Sequence, residues 1–112
     1  MCQSVAVADL AVRSERQDGR ILLRVSGELD LATVEILRHA AAKELDAGEF
    51  GELALDLSGL SFLDSSGLGA LLQIRGEAMA QGGAFTIAGL SAGPARIISI
   101  AGLSSTFGVP EA

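Results

Sequence analysis

The sequence lacks Trp and Tyr and contains one cysteine, one histidine and two prolines. A lone Cys2 excludes an internal disulfide and a cysteine-based metal cluster, and we expect an incidental terminal thiol. The histidine, His39, lies in a predicted helix between Glu35 and Lys43, where we expect an exposed residue rather than a catalytic base. Eight Lys and Arg against fourteen Asp and Glu give a net charge of −6, which argues against nucleic acid as a partner.

Long hydrophobic runs are also missing. No apolar stretch has the length needed to cross a bilayer, and the N-terminus lacks the basic flank and apolar core of a signal peptide. These absences predict a cytoplasmic protein without membrane insertion. Of the 112 residues, 49% are hydrophobic and only four are Phe, so we expect a single domain over residues 1–112 with an aliphatic core.

The first part of the chain is predicted to form a β-hairpin. Alternating apolar residues give an imperfect strand over Val5 to Val12, a polar run follows from Arg13 to Gly19, and Ile21 to Val25 forms a second strand. Asp18-Gly19 is the turn signal within the polar run. The register of the hairpin stays open, because the polar residues between the two strands do not define it.

Beyond the hairpin, helical and strand patterns alternate. Three helices are predicted, and Asp30 or Thr33 can cap the first. Each has apolar residues at helical spacing that we expect to be buried. They are Ile36, Leu37, Ala40, Ala41 and Leu45 in the first helix, Leu68, Leu71, Leu72 and Met79 in the second, and Ile97, Ile98 and Ala101 in the third. Phe85 to Ala88 and Thr106 to Val109 are predicted strands. The order β, β, α, β, α, β, α, β predicts an α/β fold with a mixed sheet of about four to five strands covered by helices.

The stretch 53–72 is the most informative, because alternating leucines of a strand change to helical spacing after a short loop. The residues at the predicted helix mouth are Asp64, Ser65, Ser66 and Gly67. A helix N-terminus has unpaired N–H groups and about half a positive charge, so it can stabilise a phosphate on a serine. Asp and Ser before a helix are more often simple caps, so the motif by itself does not identify a phosphorylation site.

Two glycines in this helix allow two interpretations. Gly67 and Gly69 each cost about 1 kcal/mol relative to alanine. They either let the helix start pack closely on the sheet, or keep the surface beside Ser65 and Ser66 open to another protein's active site, and both explanations can hold together.

Motifs of catalysis are absent from the sequence. Neither G-x-G-x-x-G, G-x-x-x-x-G-K-[ST] nor G-x-S-x-G occurs, and no spaced carboxylate cluster suggests a metal. We therefore predict no cofactor, no metal and no catalytic residue. An acyl-transfer enzyme with Ser65 as nucleophile is the weakest of three hypotheses, since no base is predicted near that serine.

Three segments resemble the signature segments of STAS domains, specifically of bacterial anti-sigma factor antagonists. They are GELDLATVEIL at 27–37, LALDLSGLSFLDSSGLGALL at 53–72 and FTIAGLSAGPARIISIAGL at 85–103, in the family's order and over nearly the whole chain. The resemblance implies an α/β domain with a mixed sheet covered by helices, in agreement with the element order. It departs from the family at the C-terminus, where many relatives continue past the position of Ala112 into a further helix.

In that family the first serine of the D-S-S-G motif, here Ser65, is phosphorylated by a partner that is both anti-sigma factor and serine kinase of the histidine-kinase-like ATPase type. The resemblance implies that the unphosphorylated protein binds this partner and frees a sigma factor. Phosphorylation would end the binding, and a metal-dependent serine phosphatase would reset the switch. The implied partner-binding residues are Asp30, Asp64, Ser66, Gly67 and Leu68, with Ser66 also expected to cap the helix.

The leading hypothesis is therefore a non-enzymatic switch controlled by phosphorylation of Ser65. The alternative is a structural STAS subunit that docks on a transporter or signalling assembly and is not phosphorylated.

Overall fold

A computed structural model describes residues 9–112, which form one four-stranded sheet and four helices. The strands are β1 (Leu10–Gln17), β2 (Arg20–Leu29), β3 (Glu52–Leu63) and β4 (Ala84–Leu90). The helices are α1 (Val34–Asp46), α2 (Ser65–Ala80), α3 (Ala92–Ile100) and the single turn α4 (Ser104–Phe107). The strands lie in the order β1-β2-β3-β4, with β1 antiparallel to β2 and the other pairs parallel. The predicted α/β fold with a mixed sheet is confirmed.

The predicted hairpin is present, but its first strand extends further than expected. Asp18 and Gly19 both have positive φ, 54° and 79°, as a two-residue type I′ turn requires. This short turn leaves the polar residues before it free to pair with β2, so the polar run is mostly strand rather than loop. Cys2 and positions 5–8 of the predicted strand lie outside the described residues.

The hydrophobic core lies between one face of the sheet and helices α1 and α2. In β2 and β3, Ile21 pairs with Leu53 and Leu23 pairs with Leu55. Because paired residues lie on the same face of a sheet, these buried side chains all face the core. Helix α1 packs on β1 and β2, helix α2 packs on β3 and β4, and the two helices contact each other. None of the helices in residues 9–112 is both long and apolar enough to cross a membrane.

The buried helix faces are narrower than predicted. Leu37, Ala41 and Leu45 are buried as expected, but Ile36 is 42% exposed. In α2, Leu72 and Met79 are exposed, and so is Ala101, which lies just after the end of α3. Each helix contacts the rest of the fold on one side only, because the sheet and helices form two layers, so apolar residues at the rim of each predicted stripe face solvent.

The predicted strand over Thr106 to Val109 is wrong, because the chain there forms the helical turn α4. The turn places Phe107, only 4% exposed, against Phe85 of β4 with ring centroids 6.1 Å apart. Gly108 then ends the turn with a φ of 69°. Burial of the aromatic ring over β4 thus replaces the backbone pairing that a further strand would make.

The sheet face opposite the helices is polar and has a hydrogen-bonded carboxylate. Glu52 accepts a hydrogen bond from the Thr86 hydroxyl at 2.7 Å and another from Arg20 Nε at 3.1 Å. The Thr86 hydrogen bond, assisted by Arg20, lowers the pKa of Glu52 and outweighs the opposing effect of its partial burial. The ionised carboxylate therefore stabilises the fold across three strands.

We expect Glu52→Gln to lower the free energy of unfolding at pH 7 by about 0.5–1 kcal/mol, because the amide cannot replace the charge-assisted bonds. The pKa of Glu52 in the folded state lies below 4.5, the ordinary value, so its contribution is complete above that pH and disappears as pH falls through the folded-state pKa. Urea unfolding at pH 7 and at about pH 2.5 measures the difference. A difference that persists undiminished in acid would contradict the assignment, and Glu111→Gln, at an exposed glutamate, is the control.

Candidate functional site

The candidate site lies where β2 and β3 end side by side. Leu29 pairs with Leu63 in these adjacent parallel strands, and the Asp64 amide donates to the Leu29 carbonyl at 3.3 Å. The segments that follow both strands therefore share one edge of the sheet. We call residues 30–33 and 64–69 the carboxyl-edge surface. It contains all the site residues predicted from the sequence.

Asp64 is the cap of helix α2. Its Oδ1 accepts a hydrogen bond from the Gly67 amide at 3.0 Å, and its carbonyl accepts one from the Leu68 amide at 3.0 Å. The expectation that Ser66 caps the helix is wrong, because the helix begins at Ser65 and Ser66 is already its second residue. The carboxylate just before the helix reaches the third helical amide, as an N-cap side chain does.

Ser65 is exposed at the first position of α2, and Ser66 beside it is half-buried. The amides of these two residues have no acceptor within the helix, whereas the Gly67 amide is already bound by Asp64. A phosphate on the Ser65 hydroxyl would therefore lie at the positive end of the helix dipole, which is worth about 0.3–1 kcal/mol to a nearby anion. The geometry suits a hydroxyl that accepts a phosphoryl group.

The single histidine of the chain, His39, lies away from Ser65. His39 lines the groove between α1 and α2 together with Gln73 and Glu77, and Gln73 is about two helical turns from Ser65. Among residues 9–112, no three His, Cys, Asp or Glu side chains are grouped so that they could hold a metal ion. The described site therefore offers a hydroxyl without the groups that would make it a nucleophile.

The two glycines of the motif have different surroundings. A Cβ on Gly67 would lie 2.5 Å from Leu63 Cδ1 and 2.9 Å from both Cγ and the carbonyl oxygen of Leu29, so only glycine allows α2 to approach β2 this closely. A Cβ on Gly69 would meet nothing within 4 Å. Close packing therefore explains Gly67, whereas Gly69 leaves open space one turn beyond Ser65.

Two of the predicted partner-binding residues lie below the surface. Leu68 is 8% exposed and belongs to the core, and Gly67 is also buried. Gly67 faces Leu29 and Leu63, so neither residue offers much surface in the unbound domain, and their part in partner binding stays a prediction. Asp30 and Asp64 are half-buried, with carboxylates that also bind backbone amides.

Asp30 organises the turn between β2 and α1. Its Oδ1 accepts hydrogen bonds from the Ala32 amide at 3.0 Å and the Thr33 amide at 3.1 Å. The buried Thr33 hydroxyl accepts from the Asp30 amide at 3.0 Å and donates to the Glu28 carbonyl at 2.7 Å. Thr33 is the N-cap of α1 by position, but its side chain binds no amide of that helix, and Asp30 orders the turn before it.

Sequence reasoning missed Leu31, which lies inside this turn and is 76% exposed. The available signal was an apolar residue directly after Asp30, between the end of a strand and a helix cap. Glu28 precedes the turn and Glu35 follows it in the chain, and both are exposed. The carboxyl-edge surface itself contains two carboxylates, Asp30 and Asp64, and no Lys or Arg, so it is acidic, although the nearby Glu35 is paired with Arg38 at 3.5 Å.

The sequence pattern of the STAS domain family matches residues 11–111. The chain is 28% identical over 95 residues to the anti-sigma F factor antagonist of Paenibacillus polymyxa, covering 85% of this chain and 81% of that relative. It is also similar to the crystal structure of an anti-sigma factor antagonist from Mycobacterium paratuberculosis. That match has a TM-score of 0.78 at 28% identity and covers 92% of this chain and 86% of the other.

This chain is also similar to both solved forms of the anti-sigma factor antagonist SpoIIAA. The unphosphorylated form matches with a TM-score of 0.73 at 27% identity, over 85% of this chain and 84% of the other. The phosphorylated form, from Bacillus, matches with a TM-score of 0.64 at 28% identity, over 85% and 86%. The murine Slc26a9 anion transporter also matches, with a TM-score of 0.70 at 28% identity, over 83% of this chain and 15% of the transporter.

We expect Gly67→Ala to destabilise the protein by about 1–3 kcal/mol, because the new Cβ must displace the Leu29 backbone or separate α2 from β2. Gly76→Ala in the same helix is the matched control, since a Cβ there meets nothing within 4 Å and alanine favours the helix by about 1 kcal/mol. Urea unfolding of both variants measures the difference. If Gly67→Ala proved as stable as Gly76→Ala, the close contact would not restrict position 67.

Proposed function

The chain belongs to the STAS domain family, and we propose that it acts as an anti-sigma factor antagonist switched by phosphorylation of Ser65. The unphosphorylated protein binds an anti-sigma factor and releases a sigma factor, and phosphorylation abolishes that binding. The observation that carries the proposal is the exposed Ser65 hydroxyl at the first position of α2, next to its Asp64 cap. Relatives named as antagonists, one of them solved in phosphorylated and unphosphorylated forms, support it.

The proposed partners come from the resemblance to anti-sigma factor antagonists. In that family the serine is phosphorylated by the anti-sigma factor itself, a histidine-kinase-like ATPase, and we propose the same partner for Ser65. A metal-dependent serine phosphatase returns the protein to its binding form. The protein is then a substrate and a ligand rather than an enzyme, and we place it in the cytoplasm with its sigma factor.

The energetics of the switch need little internal rearrangement. A phosphate adds about −1.5 to −2 charges at pH 7 next to Asp64 and near Asp30. The helix dipole offsets part of its cost to this domain, whereas a partner that contacts the same surface meets the full added charge and bulk. A loss of a few kcal/mol in binding changes the dissociation constant by tens to thousands-fold.

A second candidate function is a docking subunit of a membrane transporter, which the similarity to the Slc26a9 anion transporter supports. Such a subunit has no need of an exposed serine at a capped helix start, so the antagonist role accounts for more of the site. Native pull-down separates the two proposals. Recovery of a membrane protein in place of an ATPase would favour the docking role.

We expect the cognate anti-sigma factor kinase and ATP to label the wild type and Ser66→Ala, but not Ser65→Ala, because Ser65 is the exposed hydroxyl. Ser65→Asp should weaken binding to the same partner at least about tenfold, since it places a negative charge where phosphate would lie. Mass spectrometry locates the phosphate and calorimetry measures the dissociation constants. Labelling at Ser66, or wild-type affinity of Ser65→Asp, would refute the mechanism.

Gly69→Ala tests whether the open space beside Ser65 admits a kinase. The added methyl group lies one turn from Ser65, where it should clash with a closely fitting active site and lower kcat/KM for phosphorylation by about tenfold. Gly76→Ala is the matched control, because it is equally open but lies about 16 Å along α2 from Ser65.

Both variants should raise the free energy of unfolding by about 0.5–1 kcal/mol, so a loss of phosphorylation in Gly69→Ala cannot be attributed to poor folding. Steady-state kinetics with the purified kinase measure the effect. Equal kcat/KM values for the two variants would mean that Gly69 has no role in access.

A further inference from the structure

Leu31 is a large apolar side chain held in an unusually ordered exposed loop. At 76% it is about as exposed as Ile100, which ends helix α3, but exposed apolar residues are common and carry no meaning alone. Leu31 differs because its loop is closed by hydrogen bonds that the Ala32 and Thr33 amides donate to the Asp30 carboxylate. The loop therefore presents an apolar side chain from a fixed backbone.

Order of this kind favours binding. A loop that is already fixed loses little conformational entropy when it binds, so more of the energy from burying the side chain appears as affinity. The buried Thr33 hydroxyl adds to the order by linking the Asp30 amide to the Glu28 carbonyl. In the described fold Leu31 stays exposed to solvent, so the ordered turn does not serve to bury its side chain.

The position of the loop connects it with Ser65. The strand that leads into the loop is joined to the start of α2 by the bond from the Asp64 amide to the Leu29 carbonyl. Neighbouring strands are about 4.8 Å apart, and a stable protein interface covers about 800 Å² on each partner. An interface of that size around Ser65 is therefore wide enough to include the neighbouring loop with Leu31.

The charge of this surface distinguishes two possible binding partners, a second copy of this chain and a different protein. In a two-fold contact between copies of this chain, the same patch faces itself, so Asp30 and Asp64 would approach their own counterparts in a chain of net charge −6. A partner with basic side chains meets no such repulsion. The acidic residues around Leu31 thus favour a different protein over a second copy.

We infer that Leu31 anchors the carboxyl-edge surface in an apolar pocket of the anti-sigma factor, and that Lys or Arg side chains surround this pocket. The inference rests on the proposed function and adds a residue and a partner chemistry to it. Interface energy is concentrated in a few buried anchors, and their removal commonly weakens binding tenfold or more.

The experiment compares Leu31→Ser, Leu31→Met and Met79→Ser with the wild type, all as full chains, by calorimetry against the purified anti-sigma factor. We expect Leu31→Ser to raise the dissociation constant at least tenfold and Leu31→Met to restore most of the affinity, because Met keeps the apolar volume. Met79→Ser, at a half-exposed residue about 21 Å along α2 from Ser65, should bind like the wild type. All variants should melt within a few degrees of the wild type, and the wild-type association rate should fall with added salt.

The outcomes separate this inference from the proposed function. If the wild type binds and Ser65→Asp does not, but Leu31→Ser binds like the wild type, the anchor is wrong and the switch stands. If the wild type does not bind an anti-sigma factor, both fail. Sedimentation of the free proteins is the remaining check: a wild-type dimer that Leu31→Ser dissociates would identify a second copy as the occupant and overturn the inference.

Discussion

The close approach of helix α2 to strand β2 is the contact on which the site depends. Position 67 has no room for a Cβ against Leu29, and the Leu29 carbonyl accepts the Asp64 amide from the neighbouring strand end. These contacts hold the first turn of α2 beside the loop that leaves β2. Because of them, Asp30, Leu31 and Ser65 form one surface although the motifs that contain them are more than thirty positions apart.

The same contact explains how a modification can act without remodelling the domain. Asp64 binds the Gly67 amide and leaves the Ser65 hydroxyl at the surface, so the proposed phosphorylation would occur on a helix start that is already fixed. A phosphate there changes charge and bulk outside the packed contacts with Leu29. The phosphate would then change the free energy of binding to a partner, where added charge is costly, more than it changes the free energy of folding.

Local patterns predicted the fold because the elements of this chain are locally consistent. The alternation at Leu53, Leu55 and Leu57 and the Asp18-Gly19 turn depend on neighbours in sequence, and both predictions are confirmed. The failures depend on distant residues. Helical spacing identified Leu72 as apolar but could not show that the sheet covers only one side of α2. The strand predicted at Thr106 failed because burial of a nearby ring over β4 outweighed local strand preference.

The candidate site shows the same division. The sequence identified the helix mouth, but Asp64, Ser65 and Ser66 can all cap a helix, and the choice depends on where β3 ends. The exposure of Leu31 depends on a turn closed by Asp30 and Thr33, which no periodic pattern reveals. Gly67 and Gly69 looked equivalent until their surroundings were known.

The location of the site at an edge also has a physical reason. In a two-layer fold the outer sheet face is free, but here its polar and charged groups bind each other, as Glu52 does with Thr86 and Arg20. The edge where β2 and β3 end has groups that a partner can still bind. They are the Ser65 and Ser66 amides, which have no acceptor within the helix, the exposed Ser65 hydroxyl and the exposed Leu31 side chain. A binding partner gains most where the domain has left its own groups without partners, so we expect recognition at this edge rather than on the broad face of the sheet.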